Sequence, residues 1–428
     1  MFKALANIFR VADLRRKILF TLLMLVVYRM GTFIPVPGQD SDVLSFQDEA
    51  SAFGFLDTFG GGALGNFSIF AMGVFPYITA SIVVQLLRMD VVPKFTEWSK
   101  QGEAGRRKLA QFTRYFTVVL AFVQALAMSI GFNTQFPGLI PDPSITTYLM
   151  IALIMTAGTT FLMWLGEQIT AQGVGNGISI LIFSGIAAGI PNGVNMIYAT
   201  QIQDQGDQMF MGIVTILLLA LAVLLIIVGV VFVQQAIRKV PIQYAKRVVG
   251  QGNTAGAQST HLPLKVNSAG VIPVIFAMAF VYFPAYCCWL FCRQQWCCTM
   301  GRKLQLPNWL IFYVGLIIAF TYFYTFVQVN PETMAENLKK QGGYIPGVRP
   351  GKATELTIRR ILYRLTFVGA LFLATVSIIP IFFTNQLGLP QQIQIGGTGL
   401  LIVVGVALDT MKQIEGQLIK RSYKGFIK

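Results

Sequence analysis

Residues 211–232 read MGIVTILLLALAVLLIIVGVVF, a run without a charged side chain or a proline. A helix rises about 1.5 Å per residue, so roughly 20 such residues cross the hydrocarbon core of a bilayer. This stretch therefore reads as a transmembrane helix, and residues 309–329 form a second run of the same kind. Outward from these two, apolar segments recur near 18–36, 68–87, 115–132, 147–164, 176–190, 269–291, 362–383 and 396–411, which makes ten expected spans. Composition agrees. Of the 428 residues 54% are hydrophobic and only 12% charged, with a mean hydropathy of +0.63, outside the range of soluble globular chains. The expected fold class is an all-α membrane protein with ten transmembrane helices. The basic start (Lys3, Arg10, Arg15, Arg16, Lys17) leads into a full-length span with no small-residue cleavage site, so the first span is expected to stay in the mature protein.

The 33 Lys and Arg outnumber the 18 Asp and Glu, and their placement follows the spans. Basic residues gather in alternate connections: seven in 88–114, five in 238–265, seven in 339–364 and five in 412–428. The connections 37–66, 133–146, 191–210 and 384–395 have none. The positive-inside rule then puts both termini and the basic loops in the cytoplasm. Two features break the pattern. Arg29 interrupts the first span, where snorkelling to the interface is the simplest account. Arg293, Arg302 and Lys303 lie in a connection counted as external, within a stretch (284–305) that holds Cys287, Cys288, Cys292, Cys297 and Cys298. Their C-C-x3-C-x4-C-C spacing fits no familiar zinc pattern, and neither a metal nor another cofactor is expected.

Ten spans divide into two halves of five, and an odd number per half inverts the second relative to the first. The halves echo each other. Gly73, Pro76 and Ile78 in the second span share a G-x-x-P-x-I spacing with Gly270, Pro273 and Ile275 in the seventh, and the fifth and tenth spans are both short and glycine-rich. The expected organisation is a cytoplasmic amphipathic start (1–17), a first five-helix half (18–190), a second half (191–411) with cytoplasmic loops 236–266 and 331–361, and a cytoplasmic tail (412–428). Paired irregular spans point to the functional centre of an inverted-repeat membrane protein. At helical spacing they offer Ile78, Ile82, Ile182, Ile186, Ile275 and Ile402, with no charged side chain among them and Asp409 one to two turns beyond Ile402. A carrier of small charged solutes needs intramembrane charges at its site, whereas an apolar constriction suits a pore that gates by dewetting. A small-solute secondary transporter stays open as the alternative. An intramembrane hydrolase is disfavoured: the single histidine, His261, lies in a polar loop, and neither H-E-x-x-H nor G-x-x-x-x-G-K-[ST] occurs.

Five stretches carry a resemblance: FPYITASIVVQLL (75–87), GNGISILIFSGIAAGIP (175–191), KVNSAGVIPVIFA (265–277), GGYIPGVRPG (342–351) and GGTGLLIVVGVALD (396–409). They resemble the SecY family, the channel subunits of the bacterial Sec protein translocase, over nearly the whole chain apart from 284–308. The resemblance implies a helical channel closed by an aliphatic ring and an external plug, passing unfolded preproteins across the cytoplasmic membrane and releasing hydrophobic segments such as signal sequences sideways into membrane lipid. Carried over by motif, the ring is the six isoleucines named above. The plug is the stretch near 55–67, with Phe55, Leu56, Asp57, Thr58, Phe59, Gly60, Gly61, Gly62, Ala63 and Leu64. The lateral gate, between the second and seventh spans, takes Thr79, Ser81, Gln85, Asn267 and Ser268. Alternation on either side of Gly250 and Gly252 suggests a protruding β-hairpin bearing Lys239, Lys246, Arg247 and Lys265. The later basic loop carries Arg349, Lys352, Arg359 and Arg360. The resemblance assigns both loops to the SecA ATPase and the ribosome, and it implies small SecE-like and SecG-like membrane subunits.

Overall fold

The structure is a computed structural model, and it describes residues 11–39, 57, 60–88, 92–135, 138–199, 209–244, 260–277, 307–387 and 395–424. Within these, α1 is Ala12–Gly31, α2 Phe75–Leu87, α3 Pro93–Lys100, α4 Glu103–Gln135, α5 Ile145–Gln172, α6 Gly177–Tyr198 and α7 Met209–Gln235. Strands β1 (Ile237–Tyr244) and β2 (Thr260–Lys265) follow. After them come α8 (Pro307–Gln328), α9 (Pro331–Lys340), β3 (Gly343–Tyr344), α10 (Lys352–Leu387) and α11 (Ile395–Lys424). The all-α membrane class holds. Six of the described helices are long and apolar enough to span a bilayer, and α2 is a shorter apolar helix. The most apolar of the spans, in α7, buries only 11% of its residues within the chain, as expected where the solvent of a side chain is lipid.

Helix ends differ from the hydropathy reading where local chemistry overrides it. Helix α1 stops at Gly31, and Pro35 bridges Ser68 in extended geometry, so 32–36 and 68–74 are connection despite being apolar. A Cβ on Gly31 would sit 2.0 Å from the Phe70 ring, so glycine there makes room for the aromatic packed across the turn. Helix α4 begins at Glu103, far ahead of its apolar part, and takes Arg106, Arg107, Lys108 and Arg114 out of the loop and onto a helix. Helix α6 runs through Pro191 to Tyr198. Helix α5 is capped by Ser144, whose hydroxyl accepts from the Thr147 N–H at 3.3 Å, satisfying one of the free donors of a first turn.

The chain forms two compact units, 1–218 with 383–428, and 219–382. In the first, Tyr28, Phe70, Val74, Leu162, Leu165, Ile169, Ile180 and Leu181 build a buried core from α1, the turns before α2, α5 and α6. A smaller cluster joins Leu14 of α1, Val174 and Ile414 of α11. The second unit holds the expected hairpin: β1 pairs antiparallel with β2, Ile237 opposite Lys265 through Ile242 opposite Thr260, and with β3 through Gln243 and Tyr344. Val240, Ile242 and Leu264 of this sheet pack with Leu338, Ile345, Ile358 and Leu362 in one core.

The repeated G-x-x-P-x-I motif has the same backbone in both units. Gly73 and Gly270 both adopt left-handed φ, +55° and +66°, a region that favours glycine. Pro76 and Pro273 each sit in the first turn of the helix that follows, α2 and residues 272–277, where a missing N–H costs nothing.

Candidate pore constriction and its external segment

Five of the six predicted ring isoleucines belong to the first unit. Ile78 and Ile82 are half-buried one turn apart on α2, and Ile182, Ile186 and Ile402 are buried on α6 and α11. Ile78 and Ile182 line one small cavity together with Gly60, Ala71, Met72, Gly73, Val74 and Phe75. It offers about 10 Å³ of room to water, on the order of a single molecule. Among the described residues no charged side chain lines it. Ile186 meets α11 where Gly399 leaves space: a Cβ there would lie 3.0 Å from its Cγ2. Ile402 follows Gly399 by three residues, while neither it nor Ile82 lines the cavity. Ile275 belongs to the second unit, buried beside Phe276, whose ring packs edge-on against Phe320 and Tyr324.

The segment assigned as plug contributes Gly60 to the lining of this cavity. Of the ten residues assigned to it from sequence, Phe55, Leu56, Thr58 and Phe59 lie outside the described residues. Gly60, Gly61, Ala63 and Leu64 are buried, and Asp57 and Gly62 are partly so. Gly61 and Gly62 have φ of +69° and +84°, which turns the chain tightly. The Gly62 N–H donates to the Asp57 carbonyl at 2.9 Å, and the Gly65 N–H donates to the Asp57 carboxylate at 2.7 Å. Burial pushes the Asp57 carboxyl up from its usual range, against the pull of the Gly65 and Leu64 N–H groups and of the Arg29 guanidinium.

Sequence reasoning missed the partners of this segment. The buried Tyr28 hydroxyl donates to the Gly60 carbonyl at 2.9 Å, and the Arg29 guanidinium donates to the Gly61 carbonyl and lies 4.8 Å from the centre of the Phe33 ring. Snorkelling therefore does not describe Arg29, which has a protein acceptor. A charged residue inside a span was the available signal, because such residues usually face a partner.

The polar residues of α2 and of the stretch before 272–277 divide. Thr79 donates to its own helix at Pro76 (2.9 Å), and Ser268 to Lys265 (3.0 Å). Ser81 and Gln85 are half-buried. Asn267 donates to the Gly270 carbonyl at 3.0 Å, and its Oδ1 is buried without a partner among the described residues.

The basic loops share the second unit's core. Lys239, Arg349, Lys352, Arg359 and Arg360 are exposed, while Lys246 and Arg247 lie outside the described residues. Arg349 projects from a fixed turn: Ile345 is buried, Gly347 and Gly351 take φ of +81° and +111°, and the Thr354 hydroxyl donates to the Arg349 carbonyl at 2.9 Å. Arg359 is already engaged with Glu355 at 2.9 Å. Among the described residues no cluster of His, Cys, Asp and Glu could hold a metal, and the five cysteines lie outside them.

The SecY family profile matches residues 68–411. The chain is 70% identical to the protein translocase subunit SecY of Halalkalibacterium halodurans and 62% identical to that of Bacillus subtilis, over 100% of each chain in both cases. Among solved structures it is similar to a protein-conducting channel (18% identity, TM-score 0.61, 95% of this chain and 93% of that one). It is also similar to Sec61 in the canine ribosome-channel complex from the endoplasmic reticulum (17% identity, TM-score 0.60, the same coverage). At these identities the structural likeness speaks for the fold.

Proposed function

The chain belongs to the SecY family, and from that premise we propose that it forms the protein-conducting channel of a Sec translocon in the bacterial cytoplasmic membrane, with both termini in the cytoplasm. The carrying observation is the cavity lined by Gly60, Ile78 and Ile182, which has no charged side chain among its described lining residues. Such a wall has nothing with which to select a solute. It can part around an unfolded polypeptide and reclose dry. The isoleucines act as the ring, Phe55–Leu64 as the plug, and Thr79, Ser81, Gln85, Asn267 and Ser268 flank the exit to lipid. The secondary-transporter alternative has no support among the relatives.

Energy comes from outside the chain, which has no nucleotide-binding loop of the G-x-x-x-x-G-K-[ST] type. Lys239, Lys246, Arg247, Arg349, Lys352, Arg359 and Arg360 offer basic contacts to the acidic surface of a SecA-type motor or to ribosomal RNA phosphates. SecE-like and SecG-like subunits complete the complex. The test is reconstitution of the purified protein with these subunits and SecA in liposomes. ATP-dependent entry of a precursor into the lumen is expected, and uptake of small solutes without precursor would overturn the reading.

A further inference from the structure

Backbone carbonyls in a buried turn must find donors, and the turn at 57–68 shares them out unevenly. The carbonyls of Gly62, Ala63 and Leu64 accept from the N–H groups of Asn66, Ser68 and Phe67 within the turn. Those of Gly60 and Gly61 accept instead from Tyr28 and Arg29, adjacent residues near the end of α1. Both donors are held in place. Tyr28 is 2% exposed, and its ring stacks on Phe70 at 6.3 Å and 15°. Phe70 in turn stacks on Phe161 at 5.9 Å and 6°. Arg29 lies over the Phe33 ring, and its charge acts on the Asp57 carboxyl. The first span thus grips the segment at two successive carbonyls, the first of them that of Gly60, which lines the cavity with Ile78 and Ile182.

Resting on the channel reading, we propose that Tyr28 and Arg29 are a latch: by donating to the carbonyls of Gly60 and Gly61 they hold the plug seated, and so set how readily the channel opens. They are positioning residues, since the resting contacts are to the plug. A donor pair on backbone carbonyls suits this task because it asks nothing of the plug's side chains. Releasing the plug breaks one neutral and one charge-assisted hydrogen bond, and the second kind is about twice as strong. Arg29 should therefore matter more than Tyr28.

The test uses the full chain with its membrane subunits in planar bilayers and in export-competent vesicles. Tyr28→Phe keeps the ring stack and removes only the hydroxyl, and should raise resting open probability about five-fold. Arg29→Gln should raise it by more than about ten-fold, and Arg29→Lys, which keeps a charged donor, should restore part of the seal. Both loosened variants should export precursors with weakened signal sequences better than the parent, at an unchanged rate for a normal precursor. In a chain lacking residues 57–65, neither substitution should add to the leak already present. Equal conductance in parent, Tyr28→Phe and Arg29→Gln, with normal export, overturns the latch and leaves the channel reading standing. An undiminished effect in the chain lacking 57–65 also overturns it, because the acceptors would be gone. A parent that conducts no precursor removes the channel reading itself.

Discussion

Gly61 meets Gly185 backbone to backbone, so closely that a Cβ built on Gly61 would lie 3.0 Å from the Gly185 Cα. Gly185 falls between Ile182 and Ile186 on α6, so the proposed plug meets this helix beside two of the proposed ring isoleucines. Gly61 also has φ of +69°, which costs a side-chain-bearing residue about 1–2 kcal/mol.

Gly61→Ala combines this strain with the steric conflict at Gly185. Resting ion conductance in planar bilayers should rise by about ten-fold, with export of a normal precursor retained. Gly62→Ala has equally unfavourable φ, +84°, but open space where the methyl would go, so its leak should be smaller. Equal leaks from the two would show that backbone conformation, and not the contact with α6, decides the seat.

Asp57 should make the contact of the proposed plug sensitive to acid. Its carboxyl is raised above the usual 3.8 by burial, with Arg29 and the Gly65 and Leu64 N–H groups opposing. The seated state therefore binds more protons than an unseated, solvated plug, between that ordinary value and the raised one. Seating should strengthen as pH falls through this window and be weakest, and constant, above it. Asp57→Asn keeps an oxygen for the Gly65 N–H and should flatten the dependence. Conductance recorded as a function of pH for parent and variant checks the sign.

Much of this was legible from the residues. Ten apolar runs, the alternate basic loops and the hairpin pattern around 239–265 all come from periodicities that a bilayer or a pleated sheet imposes directly. The boundaries did not, because hydropathy cannot see that Gly31 must admit Phe70, or that α4 takes up Arg106, Arg107 and Lys108. Nor could the acceptors of Tyr28 and Arg29 be found, since a bond to a glycine carbonyl 32 residues away leaves no trace in side-chain identity. The isoleucines were nameable by motif, yet which of them share a cavity depends on where the turn before α2 lays Gly60.

Arg349 stands on a turn fixed at Ile345 and Thr354, so reversing its charge alters the surface and leaves the core alone. Arg349→Glu should insert normally and lower SecA-driven export by about ten-fold or more. Arg359, already paired with Glu355, should tolerate the same reversal better. Export rates at matched membrane abundance separate the two, and a larger defect at position 359 would contradict the ranking.

Asn267 presents the opposite problem, a buried polar atom lacking its partner. Its Nδ2 is satisfied by the Gly270 carbonyl at 3.0 Å, but Oδ1 has no donor among the described residues, and leaving a buried acceptor unmet costs about 1–3 kcal/mol. An unmet buried acceptor gains when a donor arrives, as from an entering segment. Polar pairs between membrane helices contribute about 0.6 kcal/mol on average, enough to bias a seam without locking it. Asn267→Leu removes the unmet atom and with it the Nδ2 donor to the Gly270 carbonyl, so thermal stability should change little, while the hydrophobicity a segment needs to leave sideways into lipid should shift. Gln85→Leu should shift the same threshold. A series of model segments of graded leucine content, scored for insertion against full translocation, measures the threshold. If neither substitution moves it, the exit to lipid does not run past Gln85 and Asn267.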